Sequence, residues 1–215
     1  MRNKSKISLI TVILILLLTI IGTNQKKFVQ ATETSNLTIN TWGYQLQQVK
    51  ESEISNSPFD LLVIDYSSDG SNESAWSGEE LTTMKNTDKI LISYISIGEA
   101  EDYRYYWNSD WEINNPERLD EENANWEGNF KVKYWMESWQ NIILSYLDII
   151  ITQGFDGIYL DIIDAYYYYK NKGMSEAENE MIDWVVKIVD YTKTLNSEFL
   201  IFPQNGEELL KNTTY

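Results

Sequence analysis

Asp161 and Asp164 stand three residues apart, directly after the run Gly157-Ile158-Tyr159-Leu160 and just before four consecutive tyrosines, Tyr166 to Tyr169. A second concentration of charge follows Ile97, in Gly98-Glu99-Ala100-Glu101-Asp102-Tyr103-Arg104. The chain contains neither Cys nor His. Ser-His-Asp and Cys-His triads are therefore impossible, and so are metal sites built on thiolate or imidazole. Acid–base or nucleophilic work falls to Asp, Glu, Tyr, Lys or a hydroxyl, and paired carboxylates lead by elimination. No metal and no cofactor is called for. Without Cys no disulfide forms, so the composition is silent about redox compartment.

The elements around Asp161 read as a helix, a turn and a strand. A helical pattern stops at Gly154, which tolerates the positive φ of a helix end. The strand that follows ends on Asp161. In a parallel barrel the carboxyl ends of the strands carry the chemistry. If Asp161 points inward, so do Tyr159 and Gly157, while Ile158 and Leu160 face outward onto helices. The plainer alternative is a strand-ending Asp that caps the next turn. Phe59-Asp60-Leu61-Leu62-Val63-Ile64-Asp65 has the same layout as Phe155 to Asp161, which points to repeated βα modules.

Strand and helix patterns alternate over residues 32–215, a single domain with an α/β fold and a parallel sheet. Strands are expected at 37–43, 60–65, 89–97, 156–161 and 198–203. Trp42, Tyr44 and Gln45 offer aromatic faces and an amide to a sugar, or pack as core. Ser77 with Glu80, and Ser175 with Glu178, have capping-box spacing. A long loop is expected from Arg104 to about Phe130, holding Trp107, Trp111 and Trp126. These indoles fit either sugar stacking or hydrophobic pinning of the loop. A helix is expected over 132–153, with Trp135, Trp139, Ile142, Ile143, Tyr146, Ile149 and Ile150 as its core stripe. The next helix turns Met181, Ile182, Val185, Ile188, Val189 and Leu195 to one face. Polar residues Gln204-Asn205-Gly206-Glu207 follow the fifth strand.

Residues 1–31 read as a signal peptide, with Arg2, Lys4 and Lys6 before an apolar run from Ile7 to Ile21 and small residues up to Ala31. An uncleaved N-terminal anchor is the alternative, and either implies an extracellular protein. Cleavage after Ala31 removes five basic residues and no acidic one. The remaining 184 residues carry 12 basic and 33 acidic side chains, net −21. Such a charge argues against nucleic acid and anionic membranes as partners, and favours a neutral or cationic substrate. A closed (β/α)8 barrel takes about 250 residues. The expectation is thus a TIM-barrel type fold that is incomplete, with about five of eight βα units.

Trp42-Gly43-Tyr44-Gln45-Leu46, the stretch Ser93 to Arg104, Gly154 to Tyr166 and Pro203-Gln204-Asn205-Gly206-Glu207 together resemble glycoside hydrolase family 114. These are TIM-barrel proteins related to endo-α-1,4-polygalactosaminidase, and the resemblance spans residues 37–215. It implies a secreted, endo-acting, retaining glycosidase with a polysaccharide substrate. The family's first catalytic Asp matches Asp161. Its second acid, a Glu at the end of a sixth strand, has no counterpart up to Tyr215. Glu101, Asp102 and Arg104 are implied to line the substrate site, and Asp65 and Asn205 to be polar strand-end positions of the same cleft. Glu99 or Glu101 would orient substrate or tune Asp161 by like-charge repulsion. The rival expectations are a non-catalytic carbohydrate-binding pseudoenzyme and a gene fragment.

Overall fold

The computed structural model describes residues 38–85 and 89–211. The leader expected at 1–31 lies outside the described residues. Among the described residues no helix is long and apolar enough to cross a membrane.

Five strands form one parallel sheet: β1 (Trp42–Gln45), β2 (Leu61–Ile64), β3 (Ile90–Ser96), β7 (Gly157–Asp161) and β8 (Leu200–Pro203), in that spatial order. Parallel neighbours need crossovers, and helices supply them. They are α1 (Glu51–Ser55), α2 (Gly78–Met84), α3 (Glu137–Gln153), α4 (Tyr166–Asn171) and α5 (Ala177–Leu195). This is a TIM-barrel type arrangement of βα units.

Period two divides each strand between two faces. Leu62, Ile64, Leu91, Ile95, Ile158 and Leu160 are buried against Trp139, Ile143, Tyr146, Ile150, Met181, Trp184 and Ile188 of the helices. Leu61, Val63, Ile92 and Tyr94 face the opposite way and gather Tyr159, Leu200 and Phe202. Asp161, two residues past Tyr159, continues this second face at the rim. The register sets Tyr94 beside Tyr159, and Ser96 beside Asp161.

Several expected boundaries move, each for a local reason. Leu37, where the first strand was expected to begin, lies outside the described residues; among the described residues that strand begins at Trp42, after the Asp60 carboxylate takes the backbone N–H groups of Asn40 and Thr41, at 2.8 and 3.0 Å. The long loop after Arg104 contains two strands, β5 (Leu119–Glu122) and β6 (Asn129–Val132). With β4 (Glu99–Glu101) they form an antiparallel sheet in the order β4-β6-β5. Helix α3 consequently starts at Glu137 rather than Val132. Trp107 packs on Trp111 and Phe130, with ring centroids 5.1 and 4.9 Å apart, while Trp126 is 68% exposed. The capping box at Ser77 and Glu80 forms. The one expected at Ser175 does not: Ser175 Oγ meets Glu176, which occupies the cap position of α5. On that helix Trp184 is buried and Leu195 is 52% exposed.

Gly98 joins β3 to β4 where no side chain fits. A Cβ there would lie 2.3 Å from the carbonyl oxygen of Ile162 and 2.6 Å from the Ala165 Cβ. Backbone atoms cannot yield as a flexible side chain does, so Gly98→Ala is expected to cost roughly 2–3 kcal/mol. Urea unfolding followed by tryptophan fluorescence measures this. A loss under about 0.5 kcal/mol would mean the two turns are not locked together.

Candidate active site at the strand ends

Parallel strands deliver all their carboxyl ends to one side of the sheet. Asp65 directly follows β2, β4 follows β3 after two residues, and Asp161 is the last residue of β7. Arg104 ties the first two together. Its Nε donates to Glu101 Oε2 at 2.5 Å and its Nη1 to Asp65 Oδ1 at 2.7 Å. Nη1 also donates to the Tyr146 hydroxyl at 3.0 Å. The tyrosine rings of 66, 94, 103 and 146 surround the guanidinium, the nearest, Tyr103, at 4.9 Å. Arg104 is only 3% exposed. Burial works against its charge, but Glu101, Tyr146 and Asp65 outweigh it and hold its pKa well above the ordinary value. Burial pushes the Asp65 carboxyl up, and Arg104 opposes that shift. The Tyr103 hydroxyl completes Glu101 with a bond to Oε1 at 2.8 Å.

Asp161 has a different environment. Its Oδ2 accepts from the Tyr94 hydroxyl at 2.9 Å and its Oδ1 from the Ile162 backbone N–H at 2.8 Å. It is half-buried. Burial raises its pKa; the bonds from Ile162 and Tyr94 lower it; the charges of Asp164 and Glu101 raise it again. Ile162 has φ +61°. That left-handed conformation is uncommon for a β-branched residue and needs surrounding structure to hold it. The close packing of Gly98 on the Ile162 carbonyl provides that support. Burial raises the pKa of the Tyr44 hydroxyl above its ordinary range, and Asp161, Tyr159, Glu101 and Asp65 add to the effect. Tyr94 joins the two parts, its hydroxyl bonded to Asp161 and its ring 5.9 Å from the Arg104 guanidinium.

The sequence profile described as Glycoside-hydrolase family GH114 matches residues 23–215, nearly the whole chain. The chain belongs to family GH114. It is 47% identical over 191 residues to an uncharacterized protein of Methanocaldococcus jannaschii, covering 87% of this chain and 55% of that one. It is 44% identical to an uncharacterized protein of Thermotoga maritima, covering 85% and 57%. The chain thus spans about half the length of the curated relatives it matches. Among solved structures, the Aspergillus fumigatus Ega3 complex with galactosamine superposes with a TM-score of 0.64 at 16% identity, covering 86% of this chain and 66% of that one. At that identity the likeness speaks for the fold.

Within this GH114 fold the other candidate residues divide. Tyr44 sits edge-on to Tyr159 at 5.6 Å, and Trp42 at the start of the same strand is 58% exposed. Asp164 and Asn205 line a shallow cleft next to Asp161. Two expectations need correction. Glu99, expected to orient substrate or tune Asp161, is paired with other groups. It is 1% exposed, and its Oε1 is held by Lys131 and Asn123, each at 2.9 Å. The antiparallel pairing Glu99↔Lys131 dictates this, and that sheet was not foreseen. Asp102 is exposed and packs beside Gly128, outside the cluster. Tyr94 and Tyr103 were missed. Tyr94 carried a signal, since it shares the inward phase of its strand with Ser96.

Two outcomes follow. Arg104→Gln leaves Asp65 and Glu101 buried without their cation, so it is expected to cost about 3–5 kcal/mol near pH 7. The deficit narrows as acid protonates Asp65, whose pKa burial raises. Urea midpoints at pH 7 and pH 4.5 test this, and an equal loss at both would remove electrostatics as the cause. Asp161→Asn should act in the opposite sense. A carboxyl whose folded pKa is raised holds its proton longer when folded, so its contribution to stability is present below the unfolded pKa and lost as pH rises through the folded one. The variant is therefore expected to melt higher than the parent at neutral pH and to lose that advantage below pH 3.8, the ordinary value. A variant less stable at neutral pH would contradict the raised pKa.

Proposed function

We propose that the protein is a secreted glycoside hydrolase that cleaves an amino-sugar polysaccharide resembling polygalactosamine, by a retaining mechanism with Asp161 as nucleophile. One observation carries this reading: a half-buried carboxylate at a strand end, each oxygen fixed by one hydrogen bond, beside a buried Asp65–Arg104–Glu101 cluster. Each oxygen of Asp161 keeps a lone pair for an incoming anomeric carbon. Attack there would form a glycosyl ester and expel the leaving oxygen, which takes a proton from a second carboxylic acid about 5–5.5 Å away. Water would then hydrolyse the ester.

Glu101 is a poor candidate for that second acid, because Arg104 and Tyr103 occupy both its oxygens. Glu99 is sequestered by Lys131 and Asn123. No acid/base partner is assigned among the described residues. Membership of GH114 supports sugar cleavage, and the galactosamine bound to Ega3 supports the sugar. The formal charge of −16 suits a polymer whose amines are protonated. The charged, apolar start of the chain supports export.

A second reading, glycan binding without cleavage, is favoured by the exposed Trp42 and Tyr44 faces. Incubation of the 215-residue chain with polygalactosamine, with product oligosaccharides followed by mass spectrometry, separates the two. Cleavage that falls by about 10⁴-fold in Asp161→Asn supports the nucleophile. Undiminished cleavage in the variant rejects it, and retention of polymer without products supports the binding reading.

A further inference from the structure

The three tryptophans after Arg104 have separate fates. Trp107 and Trp111 are pinned among other rings, and the Arg118 guanidinium lies over the Trp111 face at 4.4 Å. Trp126 is 68% exposed and meets no ring among the described residues. It sits in the connection Asn123 to Gly128, between β5 and β6. Such connections are usually the mobile parts of a fold. This one is closely held. Asn123 N–H donates to the Asn129 carbonyl at 2.7 Å, and Trp126 N–H to the Asn123 carbonyl at 3.1 Å. The Asn123 side chain accepts from Asn125 N–H at 3.1 Å and donates to buried Glu99 at 2.9 Å. Gly128 N–H donates to the Glu122 carboxylate at 2.8 Å. Gly128 has φ +82°, and a Cβ there would meet the Asp102 carboxylate at 2.6 Å. The indole is thus carried on a fixed backbone, so little further ordering is needed when a ligand lands on it.

The connection abuts the strand-end cluster. Asp102 N–H donates to the Gly128 carbonyl at 2.9 Å. On one side of Asp102 in the chain is Glu101, bonded to Arg104. On the other is Tyr103, 48% exposed, with its hydroxyl fixed on Glu101. Two exposed aromatic residues therefore flank the joint between the hairpin and the cluster, and the exposed Asp102 carboxylate lies at that joint. A single apolar residue on a surface needs no explanation. A fixed indole near a second exposed ring and a carboxylate, beside the candidate site, has the chemistry of a sugar platform. Aromatic faces take the C–H faces of pyranoses, and a carboxylate accepts from their hydroxyls.

We propose that Trp126, with Tyr103 and Asp102, forms a distal subsite on which one unit of a long glycan stacks. It rests on the glycan reading above and deepens it. The antiparallel sheet extends the binding surface past the ends of the parallel strands, so a long chain is held better than a short one. Buried Glu99 then has a task of its own: it anchors Asn123, and through it the turn that carries the indole.

The test titrates a short and a long α-1,4-galactosamine oligomer calorimetrically, in about 0.3 M salt to screen the net charge. All proteins carry Asp161→Asn so that no probe is consumed. The parent is expected to bind the long oligomer about tenfold more tightly than the short one. Trp126→Ala should bring that ratio close to one. Trp126→Leu should do the same, because an apolar side chain without a ring cannot stack, whereas Trp126→Tyr should keep most of the ratio. Leu195→Ala, which removes an exposed apolar side chain from the end of α5, should leave it unchanged. A ratio that survives in Trp126→Ala or Trp126→Leu, that falls equally in Leu195→Ala, or that is absent from the parent overturns the subsite and leaves the glycan reading standing. Binding of neither oligomer by the parent overturns both.

Discussion

One cation placed between two buried carboxylates sets the geometry of the rim. Arg104 cannot leave: removing its guanidinium would strand Asp65 and Glu101 in a region from which water is excluded. Burial still raises the Asp65 pKa, and Arg104 opposes that rise. The arrangement joins the end of β2 to the turn after β4, two segments far apart in sequence, and the four tyrosine rings around it keep the pair dry. A buried ion pair of this kind contributes little net stability by itself. What it does is leave one unbalanced negative charge at a fixed place beside Asp161.

The Asp161 side is fixed by backbone instead. Ile162 takes a left-handed conformation that aims its N–H at Oδ1, and Gly98 packs against its carbonyl because no larger residue fits. The strain at one turn is thus held by the tightness of its neighbour. Tyr94 fixes the other oxygen from β3. Two adjacent strands therefore position one carboxylate, and neither of the turns that follow them can shift without moving it.

Much of this was legible in the sequence, for physical reasons that differ by element. The period-two split of Gly157 to Asp161 was readable because a strand buried on both faces must still choose which residue meets helices, and Asp161 at its end fixes the phase. Gly154 marked the end of α3 because its φ of +98° suits only glycine well. The antiparallel sheet of β4, β5 and β6 was not readable. Its strands are four residues or fewer, polar, and stabilised by partners far along the chain, such as Lys131 for Glu99. Local pattern carries no trace of that pairing, so Glu99 was assigned to the rim from its place after the strand, and Asp102 from the family resemblance. Tyr94 was missed because an aromatic inside an apolar strand looks like core until its hydroxyl is seen to meet Asp161.

The raised pKa of Asp161 bears on how such a rim could work on a cationic sugar. Burial and the neighbouring charges of Glu101 and Asp164 make the free carboxylate costly, while a nucleophile must be ionised. An ammonium-bearing substrate relieves that conflict when it arrives, because each positive charge near the rim offsets one of the repulsions that raise the pKa. A neutral sugar gives no such relief.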